Sequence, residues 1–249
     1  MHKISVLIIT KNEQDSIAAC VKSAAWADEV VVVDSYSTDD TLIFAKENGA
    51  RTFLHEWEGY AQQKNWGISQ CINQWILWID ADEVITPELR NEILNLPPES
   101  EDIAGYEIPR LSYFSGHPIY HSGWYPGYVL RLFDKTKGSL DTTQLVHEHV
   151  KVNGKTAKLR SNLLHYTYAS INDYIKRQDV YALLWAEENT GKKTGGFIKA
   201  LLHAKILFLK NYILKLGFLD GYYGLLICSL ASYYTYKKYL KLGKLNKTR

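Results

Sequence analysis

Apolar runs alternate with amphipathic stretches through the first third of the chain. Ile4-Ser5-Val6-Leu7-Ile8-Ile9 is almost continuously apolar, and Glu29-Val30-Val31-Val32-Val33-Asp34 repeats that texture; both read as strands buried on two faces. Between them, residues 16–25 carry helical spacing. Ser37-Thr38-Asp39-Asp40 has the composition of a helix cap, and the helix it opens is predicted to end near 48, where Gly49 supplies the left-handed closing residue. Residues 51–54 are predicted as a third strand and 60–72 as a third helix. A fourth strand, Trp75-Ile76-Leu77-Trp78-Ile79, runs directly into Asp80, Asp82 and Glu83. Strand and helix in this rhythm predict a parallel α/β sheet with right-handed crossovers, so the polar residues at the strand ends converge on one edge. Thr86-Pro87-Glu88 then reads as an N-cap followed by Pro at the first helical position.

Beyond Pro97-Pro98 the texture changes. Residues 104–114 and 128–133 read as strands, and Asp134-Lys135-Thr136-Lys137-Gly138 reads as a hairpin turn leading to a further extended stretch. The intervening segment 117–127 is rich in aromatics, Gly and Pro. Its aromatic faces suit either a ligand-binding loop or a simple packed loop. Three helices are predicted over 170–189, 199–216 and 222–242. In the second, Leu201, Leu202, Ile206, Leu209 and Ile213 are interleaved with Lys205, Lys210 and Lys215. Asp220 and Lys237 bracket an apolar stretch of only sixteen residues, short of the roughly eighteen a spanning helix needs.

Charge divides the chain unevenly. The net charge is +2, yet residues 199–249 hold ten Lys and Arg against one acid, Asp220, leaving 19 basic against 26 acidic residues elsewhere. Such a basic, apolar-faced tail matches an anionic membrane surface, with a helical subdomain packed on protein as the alternative. Thr190-Gly191-Lys192-Lys193-Thr194-Gly195-Gly196 is the clearest joint. The expected organisation is therefore a body over 1–190 followed by a 191–249 basic amphipathic tail. The opening residues form a short strand rather than a signal sequence, so a cytoplasmic start is expected. Cys20, Cys71 and Cys228 are too few and too far apart for a disulfide framework or zinc site, and read as reduced interior residues.

Three carboxylates within four positions at a strand's C-terminal end need compensation. Asp80 and Asp82, two apart, can point the same way, and a hard divalent cation between them would relieve their repulsion and hold phosphate oxygens. No G-x-G-x-x-G and no Walker A pattern follows the first strand, which disfavours dinucleotide dehydrogenases and P-loop ATPases. Neutralising a diphosphate would then fall to a metal and to basic groups such as Lys64, although a single helical Lys is ordinarily solvated.

The Lys11-Asn12-Glu13 turn, the 34–41 segment, Lys64-Asn65-x-Gly67 and Asp80-Ala81-Asp82-Glu83 together resemble, in order and spacing, the family 2 glycosyltransferases of GT-A fold. Through Arg131-Leu132-Phe133, Val146-His147-Glu148, Leu164-His165-Tyr166 and 217–221 the chain is similar to bacterial lipopolysaccharide core β-1,4-glucosyltransferases. The resemblance implies a GT-A-like (Rossmann-like) mixed sheet flanked by helices, with a C-terminal helical tail, and makes 1–190 the catalytic domain, with 1–96 as the donor half and 97–170 as the acceptor half. It implies a UDP-hexose donor, with Thr10, Asn12, Glu13 and Asp34 around the uridine, Lys64 near the base or diphosphate, and Asp80 in the ribose and metal region. Asp82 would bind Mg2+ or Mn2+, with His165 a further ligand, and Glu148 would be the general base. His147 and His149, on one face of a strand, offer a competing metal pair without a third close ligand. The implied reaction is an inverting hexosyl transfer, of glucose from UDP-glucose, to a sugar hydroxyl of a lipid-linked core at the cytoplasmic membrane face. The alternatives are a polyprenyl-phosphate glycosyltransferase and a non-catalytic membrane-associated binding protein.

Overall fold

The computed structural model describes residues 3–97, 103–140 and 150–247. Two compact units emerge, one of Met1–Arg110 with Gly127–His165 and the other of Leu111–Pro126 with Tyr166–Arg249. In chain order the elements are β1 (Ile4–Thr10), α1 (Ile17–Ala24), β2 (Glu29–Asp34), α2 (Thr41–Glu47), β3 (Arg51–Leu54), α3 (Tyr60–Gln70), β4 (Trp75–Asp80), β5 (Glu83–Ile85) and α4 (Pro87–Leu94). They continue with β6 (Ile103–Phe114), β7 (His117–Pro118), β8 (Gly127–Asp134), β9 (Gly138–Leu140), β10 (Val150–Val152), β11 (Lys155–Lys158), β12 (Leu163–Tyr168), α5 (Ile171–Asn189), α6 (Phe197–Leu209) and α7 (Gly221–Leu245).

The first four strands behave as their sequence predicts. β2, β1 and β4 are each apolar on both faces, and they pair in parallel in the order β3-β2-β1-β4. Val6, Ile8, Val30, Val32, Leu77 and Ile79 pack on one face with Ile17, Cys20 and Val21 of α1. Leu7, Ile9, Val31, Val33, Ile76 and Trp78 pack on the other with Trp66 and Ile68 of α3. Each such side chain contributes about 1.5–3 kcal/mol by leaving water, so the two-sided burial anchors the sheet. Gly67 sets the spacing of α3: a Cβ there would stand 2.7 Å from Leu7 Cδ1 and 3.2 Å from Val33 Cγ2. The helix therefore lies close on the sheet.

Past β4 the sheet becomes mixed. β8 pairs antiparallel to β4, then β6, β12 and β5 follow, giving the helix-flanked mixed sheet of GT-A type. The turn at 134–138 forms, with Asp134 Oδ1 accepting from the Thr136 N–H at 2.8 Å. It does not close a β8–β9 hairpin, however. β8 is already paired on both edges, so β9 pairs antiparallel with β10 instead. The Thr86 cap is as predicted, its hydroxyl accepting from the Leu89 N–H at 3.1 Å.

In the second unit α7 packs on α5 and α6. A small aromatic and aliphatic core gathers Phe114, Ile119, Tyr174 and Ile227. Asp220 ties the 117–122 loop, accepting from the Tyr120 and His121 N–H groups and facing His121 Nδ1 at 2.9 Å. α6 buries only its small residues, Ala200 and Ala204. Its large ones face outward. Ile198 is 75% exposed, Leu201, Leu202 and Ile206 are also exposed, and so are Ile213 and Leu214 just beyond the helix. Among the described residues no single helix is long and apolar enough to cross a membrane, although the pair Phe197–Leu214 and Gly217–Leu245, bent by 73°, is so taken together.

Candidate functional site

The C-terminal ends of β1 and β4 open onto a cavity of about 670 Å3 in the first unit. β1 brings Thr10 to it, the following turn brings Lys11 and Glu13, α3 brings Lys64, and β4 with its turn brings Asp80 and Asp82. Trp57 and His165 complete the wall. Ligand crevices of open α/β sheets lie at this end of the strands. Five residues assigned to donor or metal from the motifs, Thr10, Glu13, Lys64, Asp80 and Asp82, line one space with His165.

Register explains how His165 arrives. β5 resumes two residues after β4 and pairs antiparallel with β12, His165 standing opposite Glu83. The imidazole Nε2 thereby reaches 3.3 Å from Asp82 Oδ2. An oxygen and a nitrogen donor are so paired on the cavity wall. Among the described residues no group of three or more His, Cys, Asp and Glu side chains could hold a metal ion. Two protein ligands suit a Mg2+ or Mn2+ ion whose other positions are filled by phosphate oxygens and water.

Below the acids lies a buried ion network. Arg131 Nη2 donates to Asp80 Oδ2 at 2.6 Å and to Glu83 Oε1 at 2.7 Å, and Arg110 Nη1 approaches Glu83 Oε1 at 3.4 Å. Glu83 Oε2 also accepts from the Asp80 N–H at 2.9 Å. Burial alone would raise the Asp80 carboxyl, but the Arg131 charge and hydrogen bond, helped by Lys64 and His165, hold it below the usual carboxylate range. Glu83, with no exposure, is pushed up by burial despite Arg131. The Arg131 guanidinium loses hydration yet is driven upward by the two carboxylates, so it stays charged. Trp78 joins the group, with Lys64 Nζ 3.7 Å and Arg131 Cζ 4.5 Å from its ring centroid.

Lys64 is not a solvated helical lysine. It is 5% exposed, because Gly67 one turn on holds that face of α3 against the sheet and Lys64 shares the face. The motif spacing carried this information. In the sequence Arg131 stands only as part of the Arg131-Leu132-Phe133 motif, which does not disclose its place in the network. A charged residue in the otherwise apolar Val129-Leu130-Arg131-Leu132-Phe133 run was the available signal, since such a residue is buried only when paired.

Asn12 and Asp34 do not line the cavity; they build the loops beside it. Asp34 Oδ2 accepts from the Ser37 N–H at 2.7 Å, and its other oxygen accepts from the Ser37 hydroxyl. Asn12, in the left-handed region at φ 55°, donates its N–H to Ser37 Oγ at 2.7 Å and accepts the Thr38 N–H at 2.8 Å. Thr10 Oγ1 is buried without a hydrogen-bond partner among the described residues. His147, Glu148 and His149 lie outside the described residues. Cys20 and Cys71 are buried, Cys71 being pushed up to about 12 mainly by burial, which fits interior thiols.

The family model for glycosyl transferase family 2 matches residues 5–151. A glycosyltransferase of Rickettsia typhi is 32% identical across 98% of this chain and 87% of its own. The chain is a family 2 glycosyltransferase. A lipopolysaccharide core biosynthesis glycosyltransferase of Rhizobium meliloti, LpsC, is 32% identical to this family 2 chain across 84% of it and 80% of LpsC. Among solved structures, glucosyl-3-phosphoglycerate synthase from Mycobacterium tuberculosis, crystallised with Mn2+, UDP and glucosyl-3-phosphoglycerate, shares 23% identity at a TM-score of 0.39. That match takes in 45% of this chain and 44% of the synthase, so the chain spans less than half the length of the solved structure.

Proposed function

We propose that this family 2 enzyme transfers glucose from UDP-glucose, with inversion, onto a sugar hydroxyl of a lipopolysaccharide or lipooligosaccharide core or similar glycolipid. The observation that carries the donor half is the pairing of Asp82 and His165, 3.3 Å apart, in a cavity that also holds Lys64 and Asp80. The likeness to LpsC supports the class of acceptor.

In this reading Thr10 and Glu13 meet the uridine, with Asn12 and Asp34 shaping the loops that position them. Asp80, kept ionised by Arg131, accepts from a ribose hydroxyl, and Lys64 faces the diphosphate. A divalent cation held by Asp82 and His165 would offset the charge of the departing diphosphate. Glu148 takes the proton of the acceptor hydroxyl as the sugar carbon is attacked. Residues 1–96 then form the donor half and 97–170 the acceptor half. The 191–249 tail seats the enzyme on the cytoplasmic face of the membrane, where outward Leu and Ile side chains of α6 enter the interface and its lysines meet anionic headgroups.

Calorimetric titration with UDP-glucose and UDP-galactose, each with Mn2+ and with chelator, tests the donor assignment in wild type and Asp82→Ala. Metal-dependent binding that Asp82→Ala abolishes is expected, the sugar with the tighter Kd being the donor. Absence of uridine-nucleotide binding in the presence of metal would refute it.

A further inference from the structure

The second unit holds a cavity of about 600 Å3 that the donor and acceptor reading does not use. Lys192, Lys193 and Lys199 line it with Thr194, His203 and Tyr239. The Gly-rich stretch 190–196, a joint by composition, is pinned on this spot. Asn246 accepts from the Gly191 N–H at 3.0 Å and donates to the Lys193 carbonyl at 2.8 Å, and the Gly196 N–H donates to the Tyr239 carbonyl at 3.0 Å. A Cβ on Gly195 would stand 2.4 Å from the Gly243 nitrogen, and one on Gly243 would stand 2.4 Å from the Gly196 nitrogen. The two backbone segments meet only because both carry glycine.

The cations gathered here are held by π faces and hydroxyls rather than carboxylates. Lys193 and Lys238 stand 5.4 Å and 4.7 Å from the Trp185 ring, and Lys199 donates to the Thr194 hydroxyl. Among the described residues no carboxylate pairs with Lys192, Lys193, Lys199 or Lys238. Burial first, and then the adjacent Lys193 charge, lower Lys238 beside this group. His203 stacks on Tyr239 at 4.2 Å with the rings parallel, which fixes the imidazole at the cavity wall. α6 begins at Phe197, and the unfilled N–H groups of its first turn add positive potential at the same place.

We propose that this cavity is a binding site for a phosphate group, as a monoester or diphosphate. Three lysines, a threonine and a histidine line the one space, a set that matches a multiply charged tetrahedral oxyanion better than a single carboxylate. The volume also leaves room for the group esterified to the phosphate. A membrane lipid headgroup and a free phosphate ester share this chemistry. The site lies wholly in the second unit and needs nothing from the donor cavity.

The test uses the full chain and a Lys193→Gln/Lys199→Gln double variant, with circular dichroism to establish that the variant is folded. Inorganic phosphate is titrated in chelator and followed by phosphorus NMR line broadening. Binding to phosphatidylcholine vesicles carrying phosphatidic acid is compared with vesicles carrying phosphatidylglycerol at equal surface charge. Two charge-assisted hydrogen bonds are removed, so phosphate binding should weaken about tenfold or more, while Asp82→Ala should leave it unchanged. If the double variant also loses a preference for phosphatidic acid, the ligand is a lipid headgroup; if phosphate binding weakens with no lipid preference in wild type, it is a free phosphate. Unaltered phosphate and vesicle binding in the folded double variant, or no phosphate binding and no phosphatidic acid preference in wild type, would overturn the assignment. Failure of the UDP-glucose titration would leave both readouts intact.

Discussion

Arg131 and Glu83 form an ion pair at 2.7 Å in which the carboxylate has no exposure and the guanidinium 4%. The pair lies behind the cavity wall, since the same Arg131 nitrogen also holds Asp80, which lines the cavity. Removing the cation leaves the buried Glu83 carboxylate with only Arg110, 3.4 Å away, beside it and the partly exposed Asp80 as a like charge. Arg131→Met should therefore cost about 3–5 kcal/mol in urea unfolding, the penalty of a broken buried pair. Arg131→Lys should recover only part of it, because an ammonium cannot reproduce the planar fork. A loss under about 1 kcal/mol for Arg131→Met would show that the network is not a structural support.

Stability should also depend on acid through Asp80. Its folded pKa is lowered, so the favourable pairing is complete above the ordinary Asp value of about 3.9 and is lost as pH falls through the lower folded value. Unfolding free energies measured down the acid limb should fall less steeply in Asp80→Asn than in wild type. Superimposable slopes would contradict the pairing.

Gly67 lets α3 approach β1 closely enough to bury Lys64. Gly67→Val should displace the helix from Leu7 and cost about 1–3 kcal/mol by overpacking. Because Lys64 moves with α3, the affinity for UDP should fall as well. A variant that loses stability but binds UDP as wild type does would mean that Lys64 takes no part in donor binding.

Glu148→Gln should leave UDP-glucose affinity unchanged and reduce transfer by about 10²–10⁴-fold, the usual contribution of a positioned base. Calorimetry and a transfer assay on the same preparation separate the two effects. Undiminished turnover would assign the base elsewhere.

The donor edge was legible because it is built from local signals. Continuous Val and Ile runs mark strands covered on both faces, and a parallel sheet must bring the ends of such strands to one edge; of the residues read from those strand ends, Glu13, Asp80 and Asp82 line one cavity, whereas Asn12 and Asp34 do not. Lys64 was ambiguous in the sequence because one residue does not reveal which helix face is buried; Gly67, pressed on Leu7, decides it.

The α/β alternation, the four parallel strands, the helix caps at Thr86 and Ser170 and the strand-end acids were determined by the chain alone, since backbone propensity and two-sided burial act over a few residues. Only the tertiary structure decided that Arg131 neutralises Asp80 and Glu83, that β12 brings His165 to Asp82, and that β9 pairs with β10 rather than β8. Those relationships depend on strand order and antiparallel register between segments far apart in the chain. Periodicity reports which face of a strand is apolar, but the choice of neighbour is settled by the edges that remain free when the sheet closes.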